Sequence, residues 1–166
     1  MRKIFIVDCE KCTGCMQCVY ACSYFKEGIF SPIRSRIQII RNEKLGINFP
    51  IICQHCTEPV CKDVCPVNAI YIDEKSGAVL HNQDICIGCR SCFHVCPFGA
   101  IQINIDNKKV MKCDFCNAEP ECVKACTYGA IECFDADKAS LDNRKKKIKR
   151  IADIHNDMSI ITLLEE

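Results

Sequence analysis

CIGCRSCFHVCP, residues 86–97, is the stretch that decides the fold of this chain. Its four cysteines, Cys86, Cys89, Cys92 and Cys96, are separated by two, two and three residues, and a proline follows the last of them. Three cysteines within seven residues can meet three corners of a cubane cluster, whereas zinc ribbons use two separate C-x2-C knuckles around one ion. The spacing therefore favours an iron–sulfur centre over a zinc site.

Cysteine groups of this kind occur four times along the chain. The other three groups are Cys12, Cys15, Cys18 and Cys22; Cys53, Cys56, Cys61 and Cys65; and Cys113, Cys116, Cys122 and Cys126. The segments that begin at the last cysteine also repeat, as CPVNAIYI, CPFGAIQI and CTYGAIEC in groups two to four. The repetition predicts one structural unit used several times: a loop with three cysteines, a short helical turn with the fourth, and a brief strand.

The composition limits the class of protein. Eighteen of the 166 residues are cysteine, which in a short chain indicates a disulfide scaffold, a zinc protein or an iron–sulfur protein. The N-terminal residues carry no export signal and no apolar run is long enough to span a bilayer, so we expect a cytoplasmic protein without disulfides or a membrane span. The formal charge of +1 counts every cysteine as neutral, whereas cluster-bound thiolates would make the protein acidic. The 22 Lys and Arg residues then compensate negative charge, and no nucleic-acid partner is indicated.

The four motifs, CTGCMQCVYAC, CQHCTEPVCKDVCP, CIGCRSCFHVCP and KCDFCNAEPECVKAC, together resemble a known family. This family is the four-cluster, ferredoxin-like electron-transfer subunits of the dimethyl sulfoxide reductase type. Its members serve molybdenum or tungsten pterin enzymes, formate dehydrogenases, carbon monoxide dehydrogenases and hydrogenases. The resemblance covers about residues 4–133 and fills all sixteen cysteine positions.

The resemblance implies a loop-rich α+β fold of two nested bacterial-ferredoxin-like units with short strands and helices, plus a C-terminal helical tail. The outer unit would comprise residues 1–48 with 108–137, the inner unit 49–107, and the tail 138–166. It also implies crossed ligation, in which the fourth cysteine of one group binds the cluster of the paired group. The implied sets are Cys12, Cys15 and Cys18 with Cys126; Cys113, Cys116 and Cys122 with Cys22; Cys53, Cys56 and Cys61 with Cys96; and Cys86, Cys89 and Cys92 with Cys65.

The function implied by the resemblance is that of a non-catalytic electron-transfer subunit with four 4Fe–4S clusters. Its expected partners are a catalytic subunit, first of all a tungsten- or molybdenum-pterin aldehyde or formate oxidoreductase, and a second redox protein such as a ferredoxin or flavoprotein. The alternatives are a ferredoxin-like partner of carbon monoxide dehydrogenase or hydrogenase, a free-standing polyferredoxin, and a zinc-stabilised interaction module. No catalytic motif such as G-x-S-x-G, a Walker loop or G-x-G-x-x-G is present, so we predict no active site.

Several features outside the cysteine groups carry further expectations. Cys133 falls on an apolar strand position and Cys9 lies outside the ligand spacing, so both are predicted to be unligated. His55 has either a packing role or a hydrogen bond that tunes a cluster. Ile37–Ile40 predicts a strand that continues into a turn. The tail after Ala139 combines a basic run with apolar residues at helical spacing, and we predict that it joins the catalytic subunit or links copies of the chain.

Overall fold

The structure is a computed structural model that describes residues 3–44 and 46–135. The helix predicted for the tail, and its assembly role, lie outside the described residues. Within the described ranges, no helix is both long enough and apolar enough to cross a membrane.

Short strands and short helices alternate along the described chain. The strands are β1 (Lys3–Val7), β2 (Gln38–Asn42), β3 (Ile47–Ile51), β4 (Ile70–Ile72), β5 (Val79–His81), β6 (Gln102–Ile103), β7 (Val110–Met111) and β8 (Ile131–Asp135), and the helices are α1 (Gln17–Glu27), α2 (Val60–Asp63), α3 (Ser91–Val95) and α4 (Glu121–Lys124), with a 3-10 turn at Pro32–Arg34. Helices α2 to α4 have only four or five residues. This is the loop-rich α+β, ferredoxin-like architecture that the sequence predicts.

All described strands form antiparallel two-stranded sheets, β1 with β8, β2 with β3, β4 with β5, and β6 with β7. The β1–β8 pair joins the two ends of the described chain and sets Phe5 opposite Cys133. The β2–β3 pair confirms the strand predicted from Ile37–Ile40, although the strand begins at Gln38. Isolated two-stranded sheets are marginally stable in water, so packing between these units has to hold the fold together.

Helix α1 is the longest described helix, and it buries one stripe of its surface. Its buried residues are Cys18, Val19, Cys22 and Ser23. Counted from Cys18, the others follow at one, four and five positions, so the four residues lie on one face of the helix. The helix ends at Gly28, where φ is +72° and the backbone N–H donates to the Tyr24 carbonyl at 2.8 Å. A glycine adopts this left-handed conformation without the strain a side chain would bring.

In three of the four groups, the short helix carries a different cysteine from the one that the sequence predicts. The fourth cysteine lies on a helix only in group one, where Cys22 is part of α1. In groups two to four the helix carries the third cysteine and ends before the fourth. At Cys65 and Cys126 the thiol accepts the backbone N–H of the residue four positions on, Ala69 or Ala130, at 3.2 Å. A continuing helix would give that N–H to a backbone carbonyl, so the two arrangements exclude each other.

Contacts between aromatic rings bring distant parts of the chain together in the larger hydrophobic core. The Phe5 ring stacks on Phe115 with centroids 4.5 Å apart, and the His55 ring lies 4.1 Å from Phe115. His55 is fully buried, and its Nδ1 accepts the Val79 backbone N–H at 3.0 Å, which leaves the ring proton on Nε2. These contacts show His55 in a packing role, and its backbone N–H also donates to Cys53 Sγ at 3.5 Å, so the two alternatives that the sequence left open do not exclude each other.

Candidate metal centres

Four cavities in the described structure are each lined by four cysteines. We call them site 1 (Cys65, Cys86, Cys89 and Cys92), site 2 (Cys53, Cys56, Cys61 and Cys96), site 3 (Cys22, Cys113, Cys116 and Cys122) and site 4 (Cys12, Cys15, Cys18 and Cys126). Each site takes three cysteines from one sequence group and the fourth from another group. Together the sites use all sixteen grouped cysteines once.

The sites are alike in size and differ from a site for a single ion. Together with the open solvent at their mouths, the spaces at sites 1 to 4 measure about 300, 360, 330 and 310 Å³. Among residues 3–44 and 46–135, no group of three or more His, Cys, Asp or Glu side chains closes around one metal ion. Four thiols arranged around a space suit a polynuclear cluster, which takes one thiolate at each of four irons.

Each site has a neighbouring site whose cysteines are close enough to affect the pKa of its thiols. Burial, and then Cys61 of site 2, raise the pKa of the Cys92 thiol in site 1 to about 11. Burial, and then Cys53 of site 2, raise the pKa of Cys113 in site 3 far above its usual range. Burial and the cysteines around it, with Cys18 of site 4 among them, do the same for Cys122 in site 3. Site 1 is therefore a neighbour of site 2, site 2 of site 3 and site 3 of site 4, and we call this series of neighbours the row.

The ends of the row are more open than its middle. Cys89 in site 1 and Cys15 in site 4 have exposed thiols. Sites 2 and 3 have no exposed cysteine: all four cysteines of site 3 are buried, and in site 2 Cys53 is buried while the other three are half-buried. Sites 1 and 4 each have one buried cysteine as well, Cys92 and Cys18. Groups bound at sites 1 and 4 would therefore each have one cysteine ligand at the surface.

Polar hydrogens point at the cysteine sulfurs. The Arg36 N–H donates to Cys22 Sγ at 3.4 Å and the His55 N–H to Cys53 Sγ at 3.5 Å, in addition to the bonds from Ala69 and Ala130. In site 1, hydrogen bonds from the Ser91 N–H and hydroxyl hold the pKa of the Cys89 thiol below its usual value, the hydroxyl at 3.6 Å. Such bonds stabilise the thiolate, which is the form that binds metal, and they adjust the potential of a bound cluster.

The buried thiols nevertheless resist ionisation in the absence of metal. Burial, followed by the neighbouring Cys126 and Cys12, raises the pKa of Cys18 to about 12. Four thiolates in one small cavity would repel each other, and burial removes the water that could stabilise them. These donor sets therefore suit a cationic iron core, which supplies the missing positive charge.

A basic side chain lines every site, although no sequence motif identified these residues as part of a site. The lining side chains are Arg90 at site 1, Lys112 at site 2, Lys26 and Arg36 at site 3, and Lys11 at site 4. Lys26 pairs with Asp114 at 2.7 Å, Arg36 with Glu27 at 2.5 Å and Lys11 with Asp8 at 3.6 Å. The signal available from the sequence was position alone, because Lys11, Arg90 and Lys112 each stand next to a grouped cysteine.

The two cysteines outside the four groups line none of the four sites. Cys133 lies in β8 and packs against the larger core, on the apolar strand position that the sequence predicts. Cys9 is half-buried, and burial followed by the nearby Cys12 raises the pKa of its thiol. That both are unligated stays a prediction.

The loop of site 4 depends on a close approach at Gly14. Its φ is +71°, and an added Cβ would lie 2.7 Å from Asn48 Oδ1. Asn48 in turn donates from Nδ2 to the Cys12 carbonyl at 3.0 Å, and the Gly14 carbonyl accepts from Arg41 at 2.9 Å. Glycine is therefore required here by a neighbouring side chain as well as by the backbone angle.

We expect Gly14→Ala to be more damaging than Gly28→Ala. Both residues have nearly the same positive φ, for which a side chain costs about 1–2 kcal/mol, but a Cβ at Gly28 meets nothing within 4 Å. At Gly14 the clash with Asn48 should add at least about 1 kcal/mol. Anaerobic thermal unfolding and iron content of the two variants test this, and equal losses in both would show that the Asn48 contact does not matter.

Comparison with known proteins places the site in a class. Residues 46–136 match the model of the 4Fe-4S dicluster domain, and residues 10–24 match that of a 4Fe-4S binding domain. The chain is 40% identical over 163 residues to an uncharacterised ferredoxin of Methanocaldococcus jannaschii, covering 98% of this chain and 87% of the relative. It is 39% identical over 121 residues to the polyferredoxin-like subunit of an aliphatic sulfonate oxidoreductase of Pyrococcus furiosus, covering 73% and 69%. A probable anaerobic dimethyl sulfoxide reductase chain of Escherichia coli is 35% identical over 148 residues, covering 77% and 71%.

The fold and the cysteine sites define an iron–sulfur protein of the ferredoxin-like, electron-transfer class. Within that class, the chain belongs to the 4Fe-4S dicluster domain family. This confirms the resemblance inferred from the four cysteine motifs, and it identifies the cysteine array with 4Fe–4S binding rather than with zinc.

Proposed function

We propose that this chain binds four 4Fe–4S clusters at sites 1 to 4 and relays single electrons between a catalytic oxidoreductase subunit and a second redox protein. The observation that carries the proposal is that four cavities of similar size are each lined by four cysteines. All sixteen grouped cysteines would be ligands, and the chain itself would have no catalytic site. Each cluster, when bound, supplies a centre that accepts and releases one electron.

The chain's own residues would set the path of the electrons through the four sites. Sites 1 and 2 exchange their fourth cysteines between groups two and three, and sites 3 and 4 do so between groups one and four. This exchange supports the nested division into an inner unit, residues 49–107, and an outer unit, residues 1–48 with 108–137. All four cysteines of site 3 are buried and site 2 has no exposed cysteine, while exposed Cys89 and Cys15 mark the two ends of the row. Electrons would enter at one end and leave at the other.

The names of relatives support a partner that is an oxidoreductase. One relative is a subunit of an aliphatic sulfonate oxidoreductase and another is a probable anaerobic dimethyl sulfoxide reductase chain. We therefore propose a catalytic subunit of the molybdenum- or tungsten-pterin type, with an aldehyde or formate oxidoreductase as the first candidate. A carbon monoxide dehydrogenase or a hydrogenase is the alternative partner. A free-standing polyferredoxin is the second candidate function, and the relative from Methanocaldococcus jannaschii, named as a ferredoxin, favours it.

We expect anaerobically reconstituted protein to contain about sixteen iron and sixteen sulfide per chain, because each 4Fe–4S centre holds four of each. Full reduction should then take up about four electrons per chain, one for each cluster. Metal and acid-labile sulfide analysis together with an anaerobic reductive titration test both numbers. Zinc in place of iron, or half the iron after thorough reconstitution, would contradict the proposal. Anaerobic copurification would separate a subunit of a complex from a free-standing polyferredoxin.

A further inference from the structure

Lys112 is a buried cation whose environment differs from that of the other basic side chains at the sites. It is 6% exposed, and it is the only buried Lys or Arg in residues 3–44 and 46–135. Its Nζ donates to the Val79 carbonyl and, at 3.3 Å, to the Cys113 carbonyl. Both acceptors are neutral, so they satisfy hydrogen bonds but cancel no charge.

No carboxylate in the described part of the chain forms an ion pair with Lys112. Lys26 and Arg36 at the neighbouring site 3 are different, because Asp114 and Glu27 neutralise them. Arg90 at site 1 is exposed, so water screens its charge. A buried ammonium without a counter-charge is strongly unfavourable, which means that the negative partner of Lys112 has to come from elsewhere.

The cysteines around Lys112 supply that partner once they are ionised. Lys112 lines site 2 with Cys53, Cys56, Cys61 and Cys96. Burial raises the pKa of the Cys61 thiol, and the positive charge of Lys112 partly offsets that effect. The Cys113 carbonyl that it contacts belongs to a residue of site 3, so the ammonium lies at the junction of the two middle sites.

We propose that Lys112 raises the reduction potential of the cluster at site 2, so that this cluster is the first in the row to be reduced. Reduction adds one negative charge and no proton, with the electron supplied by a one-electron donor at an end of the row. A nearby uncancelled positive charge stabilises the reduced form over the oxidised form, and low local polarity strengthens this effect. The paired cations of site 3 have no such net effect, so the two middle clusters should differ in potential. This inference rests on the proposed four-cluster function.

The test is a redox titration of loaded protein, followed by electron paramagnetic resonance, for the wild type, Lys112→Met, Lys112→Gln and Lys112→Arg. Methionine keeps most of the side-chain length without charge, and glutamine keeps hydrogen-bond donors without charge. Lys124→Met is the control, because Lys124 is exposed, pairs with Glu119 and Glu121, and lines none of the four sites.

In both neutral variants we expect one of the four midpoint potentials to fall most, by about 59 mV or more, which is a tenfold change in the equilibrium constant for one electron. A second potential should fall by less, because Lys112 also contacts the Cys113 carbonyl at site 3. Lys112→Arg should bring the most affected potential most of the way back to the wild-type value, and Lys124→Met should leave all four potentials unchanged.

Four unchanged potentials in a fully loaded neutral variant would overturn the inference. So would loss of a cluster from all three Lys112 variants alike, since Lys112 would then be needed only for packing. Loss of a cluster from the neutral variants alone, with retention in Lys112→Arg, would support the role of the charge. If the wild type itself holds fewer than four clusters, the proposed function fails, whatever the variants do.

Discussion

Removal of the iron–sulfur clusters should abolish the cooperative unfolding transition of this protein. The reason is that the proposed ligands are an integral part of the hydrophobic core. Cys18, Cys22, Cys53, Cys113 and Cys122 belong to the larger core cluster, and Cys92 belongs to the smaller one. Without metal, these positions would be thiols around cavities instead of bridged groups, and the free energy of metal binding would be lost from folding.

The remaining structure has little stability of its own. Every described sheet has two strands, and three of the four described α-helices have four or five residues. Elements this short are not stable in isolation, and small domains of this kind need metal sites or other cross-links.

Anaerobic chelation of iron, followed by circular dichroism and calorimetry, tests the prediction. The loaded protein should melt in one cooperative step, while the metal-free protein should show no such step and a reduced strand and helix signal. Reconstitution with iron and sulfide should restore both signals, which is the control for irreversible damage. A metal-free protein that melts cooperatively with a native-like spectrum would show that the apolar residues suffice for folding.

Replacement of Cys22 by serine should damage the cluster that is distant from it in sequence. Cys22 lines site 3 with Cys113, Cys116 and Cys122, whereas its sequence neighbours Cys12, Cys15 and Cys18 line site 4. Cys22→Ser should therefore lower the iron content by about one cluster, or convert one centre to a three-iron form, since a cubane that lacks one thiolate is destabilised.

The reciprocal variant, Cys126→Ser, and a control variant, Cys9→Ser, complete the comparison. Cys126→Ser should affect site 4 although Cys126 follows the third group-four cysteine by only four residues. Cys9→Ser should leave the iron content near sixteen, because Cys9 lines none of the four sites. Electron paramagnetic resonance of Cys22→Ser in a background that also lacks Cys113 identifies the damaged site. If the second substitution destroys an additional cluster, the two cysteines serve different clusters and the crossed arrangement is wrong.

The spacing of the cysteines made the ferredoxin-like class predictable from the sequence. Three ligands of a cubane must come from one tight loop, so the cysteine spacing in the runs that begin at Cys12 and Cys86 indicates such a cluster by itself. The two runs also share a backbone conformation. The residue before the helix, Met16 in one and Arg90 in the other, has φ +64° in both. The prediction of a helical turn at the fourth cysteine is confirmed for Cys22 and was wrong for groups two to four. At Cys65 and Cys126 the thiol accepts the N–H of Ala69 or Ala130, which a continuing helix would use.

The sequence by itself determined the class of cofactor, the number of cysteine groups and the loop-rich α+β character, because each depends on residues within a few positions of one another. Only the tertiary structure decided which sites are neighbours, the closure of β1 on β8 and the burial of Lys112. Lys112 and its acceptor Val79 are 33 residues apart, and no local pattern marks this lysine as different from exposed ones. Charge burial depends on what packs around a side chain from distant parts of the chain, and that is settled only when the whole chain has folded.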